Sequence, residues 1–152
     1  MAASEPSDKA LSVAEYRQIA EFRHRIRQFL HFSEEVARTN NIEPQQHQLL
    51  LAIKGLPEGT RPTITALSSR LCLRHHSTVE LVNRLVAHGT VSRRHSEEDH
   101  REVLLELTPE GEQILRRLSV LHWQELQAAA PALSDSLGAI VGHSAQTGKK
   151  PL

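Results

Sequence analysis

Residues 61–108 read RPTITALSSRLCLRHHSTVELVNRLVAHGTVSRRHSEEDHREVLLELT, and the change of pattern inside this stretch decides the fold. Thr63 stands as an N-cap, and Ile64, Leu67 and Leu71 follow at helical spacing. The next periodic run, Val79, Val82, Leu85 and Val86, begins almost at once, so Cys72-Leu73-Arg74 has room only for a tight corner. The spacing predicts a second helix over about 75–88, closed by Gly89, where a left-handed backbone costs least. Beyond Gly89, Val91, Arg93 and Arg94 form a short extended segment. Val103, Leu105 and Leu107 then alternate with Glu102, Leu104 and Glu106, a strand pattern. The two strands make a hairpin whose tip, 95–101, holds no large apolar residue and cannot be core.

Helix, corner, helix and hairpin in this order predict a mainly α protein with a small β-hairpin, a winged helix-turn-helix. That arrangement places the start of its second helix in the major groove of DNA and an arginine of the hairpin in the minor groove. With the apolar stripe turned inward, Arg74, His76, Ser77, Glu80 and Arg84 fall on or near the outer face of the second helix.

Leu67-Ser68-Ser69-Arg70-Leu71, Arg74-His75-His76-Ser77-Thr78-Val79, Asn83-Arg84-Leu85, Gly89-Thr90-Val91, Arg93-Arg94, Asp99-His100-Arg101 and Leu107-Thr108-Pro109-Glu110-Gly111 together resemble the MarR family of bacterial transcription regulators. The resemblance covers residues 19–133 in organisation and 63–111 in motifs. Its most specific part is the Asp-x-Arg of the hairpin followed by Leu-Thr-Pro-x-Gly. It implies a dimeric regulator of a palindromic operator in double-stranded DNA, most often a repressor, released by a small aromatic or phenolic effector. It also implies that Arg101 enters the minor groove with Asp99 orienting it. The DNA-facing set is then Arg74, His75, His76, Ser77, Thr78, Glu80, Arg84, Arg94, Asp99 and Arg101. The sequence departs from the family pattern at His100, where an arginine is usual, at Cys72, where glycine is usual, and at Arg74, where a small or acidic residue is usual.

A length of 152 residues suits one domain with a real core. The formal net charge is zero, which taken alone argues against a nucleic-acid partner. The distribution reverses that reading: residues 61–101 carry seven Arg against four acids, a local charge of +3, with five of the ten His. Phosphate contacts act within a Debye length, so the patch outweighs the total. No apolar run reaches membrane or signal-peptide length, and a single cysteine agrees with a reducing compartment; a cytoplasmic protein is expected.

Around the reader, residues 1–10 are expected to be loose. Ser12-Val13-Ala14-Glu15 reads as a capping box with Leu11 and Tyr16 as a hydrophobic staple, opening a helix over about 12–39. Asn40-Asn41 ends it, and Pro44 opens another helix that stops at Gly55. The winged helix then occupies about 44–108 of a single domain, 11–142. Thr108 and Pro109 open the last long helix; Pro131 is expected to end or bend it, a short helix to follow to 141, and 143–152 to be a flexible tail. The outer helices, about 12–39 and 109–141, carry more apolar surface than one small reader can cover. A two-fold partner is therefore expected, with Tyr16, Phe22, Leu126 and Leu133 at the interface or, equally, in the chain's own core.

Other readings have less in the sequence to carry them. His24 and His31 share a helix face, and His122 can meet another His in the fold, but no cluster has zinc-ligand spacing, so no metal and no cofactor is expected. Cys72, between Leu71 and Leu73, is expected to be a small buried thiol rather than a redox sensor. No phosphate loop, nucleophile elbow or zinc-protease helix is present, and Asp99 and His100 sit where nothing desolvates them, so no enzyme is expected. The alternatives that stay open are a winged helix used to dock a protein, and a regulator triggered by metal or oxidation.

Overall fold

The computed structural model describes residues 10–147; residues 1–9 and 148–152, where loose ends are predicted, lie outside the described residues. The elements are α1 (Val13–Thr39), α2 (Pro44–Lys54), α3 (Ile64–Leu71), α4 (His75–Ala87), β1 (Val91–His95), β2 (Val103–Leu107) and α5 (Pro109–Thr147). This is a mainly helical winged helix-turn-helix with a two-stranded antiparallel wing between long first and last helices. No helix among the described residues is long and apolar enough to cross a membrane.

The chain divides into two compact units. The unit Phe32–Gln124 holds the reader. Its entry is set where α1 ends: Asn41 takes a left-handed backbone (φ 59°) and the Ile42 N–H reaches back to the Ala37 carbonyl at 3.1 Å. Glycine and asparagine tolerate that conformation best, which is why Asn40-Asn41 stops the helix. Pro44 opens α2, where its missing N–H costs nothing, and the Gly55 N–H closes it on the Leu51 carbonyl at 2.9 Å. Thr63 caps α3 by accepting the Ala66 N–H at 3.2 Å.

Leu49 and Leu50 of α2, Leu67 of α3, Leu81, Val82 and Leu85 of α4, Val91, Leu105, and Leu115 and Leu118 of α5 form one buried cluster with Ala37 and Ile42. Burying one such leucine is worth ~1.5–3 kcal/mol. An exposed ion pair contributes ~0–1 kcal/mol, so this cluster, not the surface charge, holds the unit together. The hairpin pairs Val91 with Leu107 through to His95 with Val103. Only Val91 of β1 is buried, whereas β2 buries both Leu104 and Leu105, and the Leu105 N–H also bonds the Pro62 carbonyl at 2.9 Å. The loop before α3 is thereby stitched to the wing.

The last helix leaves the hairpin through a compact joint. Thr108 Oγ1 accepts the Gly111 N–H at 3.1 Å and donates to the Gly89 carbonyl at 2.6 Å, and Gly89 holds a left-handed φ of 76°. Gly111 is required by close approach: a Cβ there would lie 2.1 Å from the Thr90 carbonyl oxygen.

The second unit comprises the described parts of Met1–His31 and Glu125–Leu152. Ser12 and Glu15 form the predicted capping box, with Glu15 N–H on Ser12 Oγ at 3.2 Å and Ser12 N–H on Glu15 Oε2 at 2.6 Å. The predicted staple pair, Leu11 and Tyr16, is exposed at both positions. The expectation at Pro131 is corrected. α5 continues through it to Thr147 as one helix, taking in the predicted separate short helix and the first part of the predicted tail. Proline removes the donor that would serve the Gln127 carbonyl, but both positions are exposed, where an unmade helix bond costs less than at a buried position.

Candidate nucleic-acid interface

The corner between α3 and α4 is left-handed at Cys72, with φ 54° and ψ 37°. The Leu73 N–H bonds the Ser68 carbonyl at 3.0 Å across it. Cys72 is exposed, which corrects the buried thiol predicted from its neighbours: a left-handed residue at a helix end projects away from the stripe that buries Leu67.

From this corner Arg74 enters α4 as its N-cap without a side-chain capping bond, leaving its guanidinium available. Arg74, His75, His76, Glu80 and Arg84 are exposed and Ser77 is half-buried, so these predicted contacts share the outer side of one helix. Thr78 is corrected. It is fully buried, and its hydroxyl donates to the Arg74 carbonyl at 3.2 Å, because at this spacing it joins Leu81, Val82 and Leu85 on the inner stripe.

The wing carries the other half of the surface. Asp99 Oδ1 accepts the Arg101 N–H at 3.0 Å, the Glu102 N–H bonds the Asp99 carbonyl at 2.9 Å, and Ser96 N–H closes the tip on the Glu102 carbonyl at 2.9 Å. These bonds hold Asp99 beside the backbone of Arg101, whose side chain is exposed. Among the described residues Arg74, Arg84 and Arg101 take part in no ion pair, so their charge faces solvent. Arg94, by contrast, pairs with Glu106 on the facing strand.

Two polar ties were invisible in the sequence. Arg93 donates to Asn83, joining β1 to α4, and Arg61 donates to both Glu98 and Glu102, joining the loop before α3 to the wing. Glu102 and then Glu98 raise the Arg61 guanidinium further above its ordinary value. Partners 37 and 41 residues apart leave no local signal in a sequence.

A third feature lies inside the same unit. His47, 2% exposed, stacks on His122 with ring centroids 4.6 Å apart, and neither of its ring nitrogens has a hydrogen-bond partner among the described residues. His122 is engaged by the Ser33 hydroxyl at Nε2 and the Leu118 carbonyl at Nδ1, both at 2.7 Å. Burial, and next the neighbouring His122, lower His47 from the ordinary 6.5 to about 4. Among the described residues no group of three or more His, Cys, Asp or Glu could hold a metal ion.

The predicted interface candidates all fall in the second unit. Tyr16 and Leu126 are exposed, and Phe22 and Leu133 are half-buried. The same segments expose Val13, Ile19, Leu30, Leu137 and Val141.

Helix, left-handed corner, exposed second helix and stitched hairpin define a winged helix-turn-helix protein. A model of the MarR family matches residues 40–102, which take in the motifs from Leu67 to Arg101 that carry the resemblance. No curated protein matches the sequence. Among solved structures, a MarR family transcriptional regulator from Streptomyces coelicolor in complex with DNA is similar at 21% identity and a TM-score of 0.70, over 96% of this chain and 94% of that one. AbsC, another MarR family regulator from S. coelicolor, is similar at 17% identity and 0.69, over 91% and 99%. A mutant MarR from E. coli complexed with operator DNA is similar at 22% and 0.62, over 90% and 95%. At these identities the likeness shows the fold.

Proposed function

We propose that this chain is a sequence-specific DNA-binding transcription regulator, a dimeric repressor that reads a palindromic operator. The observation that carries the reading is the pairing of α4, with Arg74 and Arg84 exposed and outside any ion pair, with a wing whose Arg101 is likewise exposed. The outer side of α4 enters the major groove, where His75, His76, Ser77 and Glu80 offer donors and acceptors to base edges. Arg101 enters the minor groove and Arg94 supports the strand beside it. The solved MarR regulators with DNA support this reading.

The exposed apolar residues of the second unit support the dimer. Two copies burying Tyr16, Phe22, Leu126 and Leu133 against each other form a two-fold assembly, and half-sites about one helical turn apart follow from that symmetry. A small aromatic or phenolic effector releases the DNA, as the family resemblance implies. No catalytic role is proposed.

The test is selection of bound duplexes from a random pool by the purified protein, followed by salt titration of the selected duplex with wild type and Arg101→Ala. Enrichment of an inverted repeat, affinity falling steeply with salt, and at least ~10-fold weaker binding by the variant support the reading. No enrichment and no effect of Arg101→Ala overturn it and favour the protein-docking use of the same face.

A further inference from the structure

The wing is an unusual tool for approaching DNA, because residues 96–102 hold Glu97, Glu98, Asp99 and Glu102 against the single Arg101. Left uncompensated, that loop carries net negative charge to a surface of phosphates. The cation that offsets it is not in the wing. Arg61, in the loop before α3, donates one guanidinium nitrogen to Glu98 at the tip and the other to Glu102 at its base. The next residue, Pro62, is bonded through its carbonyl to the Leu105 N–H, and Thr63 caps α3, so Arg61 is held at the junction of wing and reader.

The geometry points to Arg61 as a positioning residue for DNA reading: it clamps the acidic wing against the loop before α3 and screens Glu98 and Glu102 from phosphate, so that Arg101 can approach the groove. This inference rests on the DNA-binding reading above. The clamp joins Arg61 to partners on both sides of Arg101 in sequence. It therefore constrains the loop that carries Arg101 without itself needing to touch DNA. The other acid of this group with a defined bond, Asp99, is already used within the tip, where it accepts the Arg101 N–H.

The test uses the full chain and the selected duplex. Arg61→Ala, Arg101→Ala and the triple variant Arg61→Ala/Glu98→Gln/Glu102→Gln are titrated with DNA from low to high salt. Amide hydrogen exchange is followed across 96–102, and thermal unfolding is compared to verify folding. Two uncompensated carboxylates near phosphate weaken binding ~5- to 10-fold at low salt in Arg61→Ala, and less as salt screens them. Exchange across the tip accelerates in the same variant, and the triple variant returns to within ~3-fold of wild type because the repelling charges are gone.

Arg61→Ala that leaves both affinity and exchange unchanged overturns the inference. So does a triple variant that stays as weak as Arg61→Ala with a salt slope lower by about one, the mark of an arginine that itself contacts phosphate. If wild type retains no duplex, the DNA reading falls and the inference with it. A wild type that binds while Arg61→Ala behaves identically overturns the inference alone.

Discussion

His47 gives the fold an acid-sensitive point whose size can be worked out. The ring is 2% exposed, stacked on His122, and leaves both nitrogens without partners among the described residues, so a proton on it would be a buried cation with no acceptor. In the unfolded chain the ring titrates near 6.5, and in the folded protein near 4. The sign follows from that order. The folded state disfavours the proton, so the contribution is fully present above pH 6.5, declines as the unfolded chain takes up its proton, and levels off below pH 4. The gap corresponds to ~3 kcal/mol at most, of which ~2 kcal/mol is already lost at pH 5.

The perturbation is His47→Phe, which keeps a ring to stack on His122 and removes the titrating nitrogens. Urea unfolding of both proteins at one protein concentration, at pH 7.5, 6, 5 and 4.5, gives the difference in stability at each pH. The two proteins differ at this one position, so the pH dependence of their difference reports the imidazole at position 47 and its interaction with His122. Relative to its own value at pH 7.5, the wild type should fall ~2 kcal/mol further than the variant by pH 5, a gap of roughly 4–8 °C in thermal midpoint. Parallel curves for the two proteins across this window would refute the reasoning, because His47 would then have the same proton affinity in both states.

Three further outcomes follow from single positions. Gly111→Ala should destabilise by ~1–3 kcal/mol in chemical unfolding, because the new methyl group meets the Thr90 backbone at 2.1 Å and the first turn of α5 must shift. Cys72→Gly should raise stability by ~1 kcal/mol, since φ 54° strains any side chain, and unchanged or lower stability would contradict a strained corner. Thr78→Val should change DNA affinity less than ~2-fold and stability by ~1 kcal/mol or less, because the buried hydroxyl only supplements the Arg74 carbonyl's bond from the Thr78 N–H.

The order of elements was legible because each boundary carries its own local chemistry. Thr63 and Thr108 cap through a hydroxyl three residues upstream of the N–H they accept, and Gly89 supplies a positive φ where the helix must turn. Spacing alone also placed Arg74, His76, Glu80 and Arg84 on the open side of α4. Thr78 was put on the DNA face by the family resemblance, whereas its spacing puts it on the inner stripe, where a hydroxyl that bonds back to its own helix can occupy a core position. Cys72 was misassigned from its apolar neighbours Leu71 and Leu73, because its backbone turns out of the helix. Pro131 was read as an end or a bend, and the end does not occur, because the cost of the lost bond depends on exposure, which is a tertiary property. The Arg61 clamp and the stack of His47 on His122 join residues far apart in the chain, so nothing local announces them.

The second half of the motif that carries the resemblance most specifically, the Leu-Thr-Pro-x-Gly after Asp-x-Arg, is a structural joint. In Leu-Thr-Pro-x-Gly, Thr108 bonds at once to the first turn of α5 and to the Gly89 carbonyl, Pro109 opens the helix, and Gly111 lets that turn lie against Thr90. Every one of these tasks fixes where the last helix departs from the hairpin, and any change of side chain at Gly111 meets backbone, which cannot yield as a flexible side chain can. The residues proposed to meet DNA face the opposite constraint. Arg74, His75, His76 and Arg84 are exposed, so the fold tolerates many substitutions there and sequence preference can change without rebuilding the scaffold. His100, in place of the usual arginine, and Arg74, in place of a small or acidic residue, sit on that permissive surface, whereas the Thr-Pro-x-Gly joint is intact. These two departures fall on the face proposed to meet DNA, the third, Cys72, falls at the left-handed corner, and the intact joint keeps the hairpin attached to the start of α5.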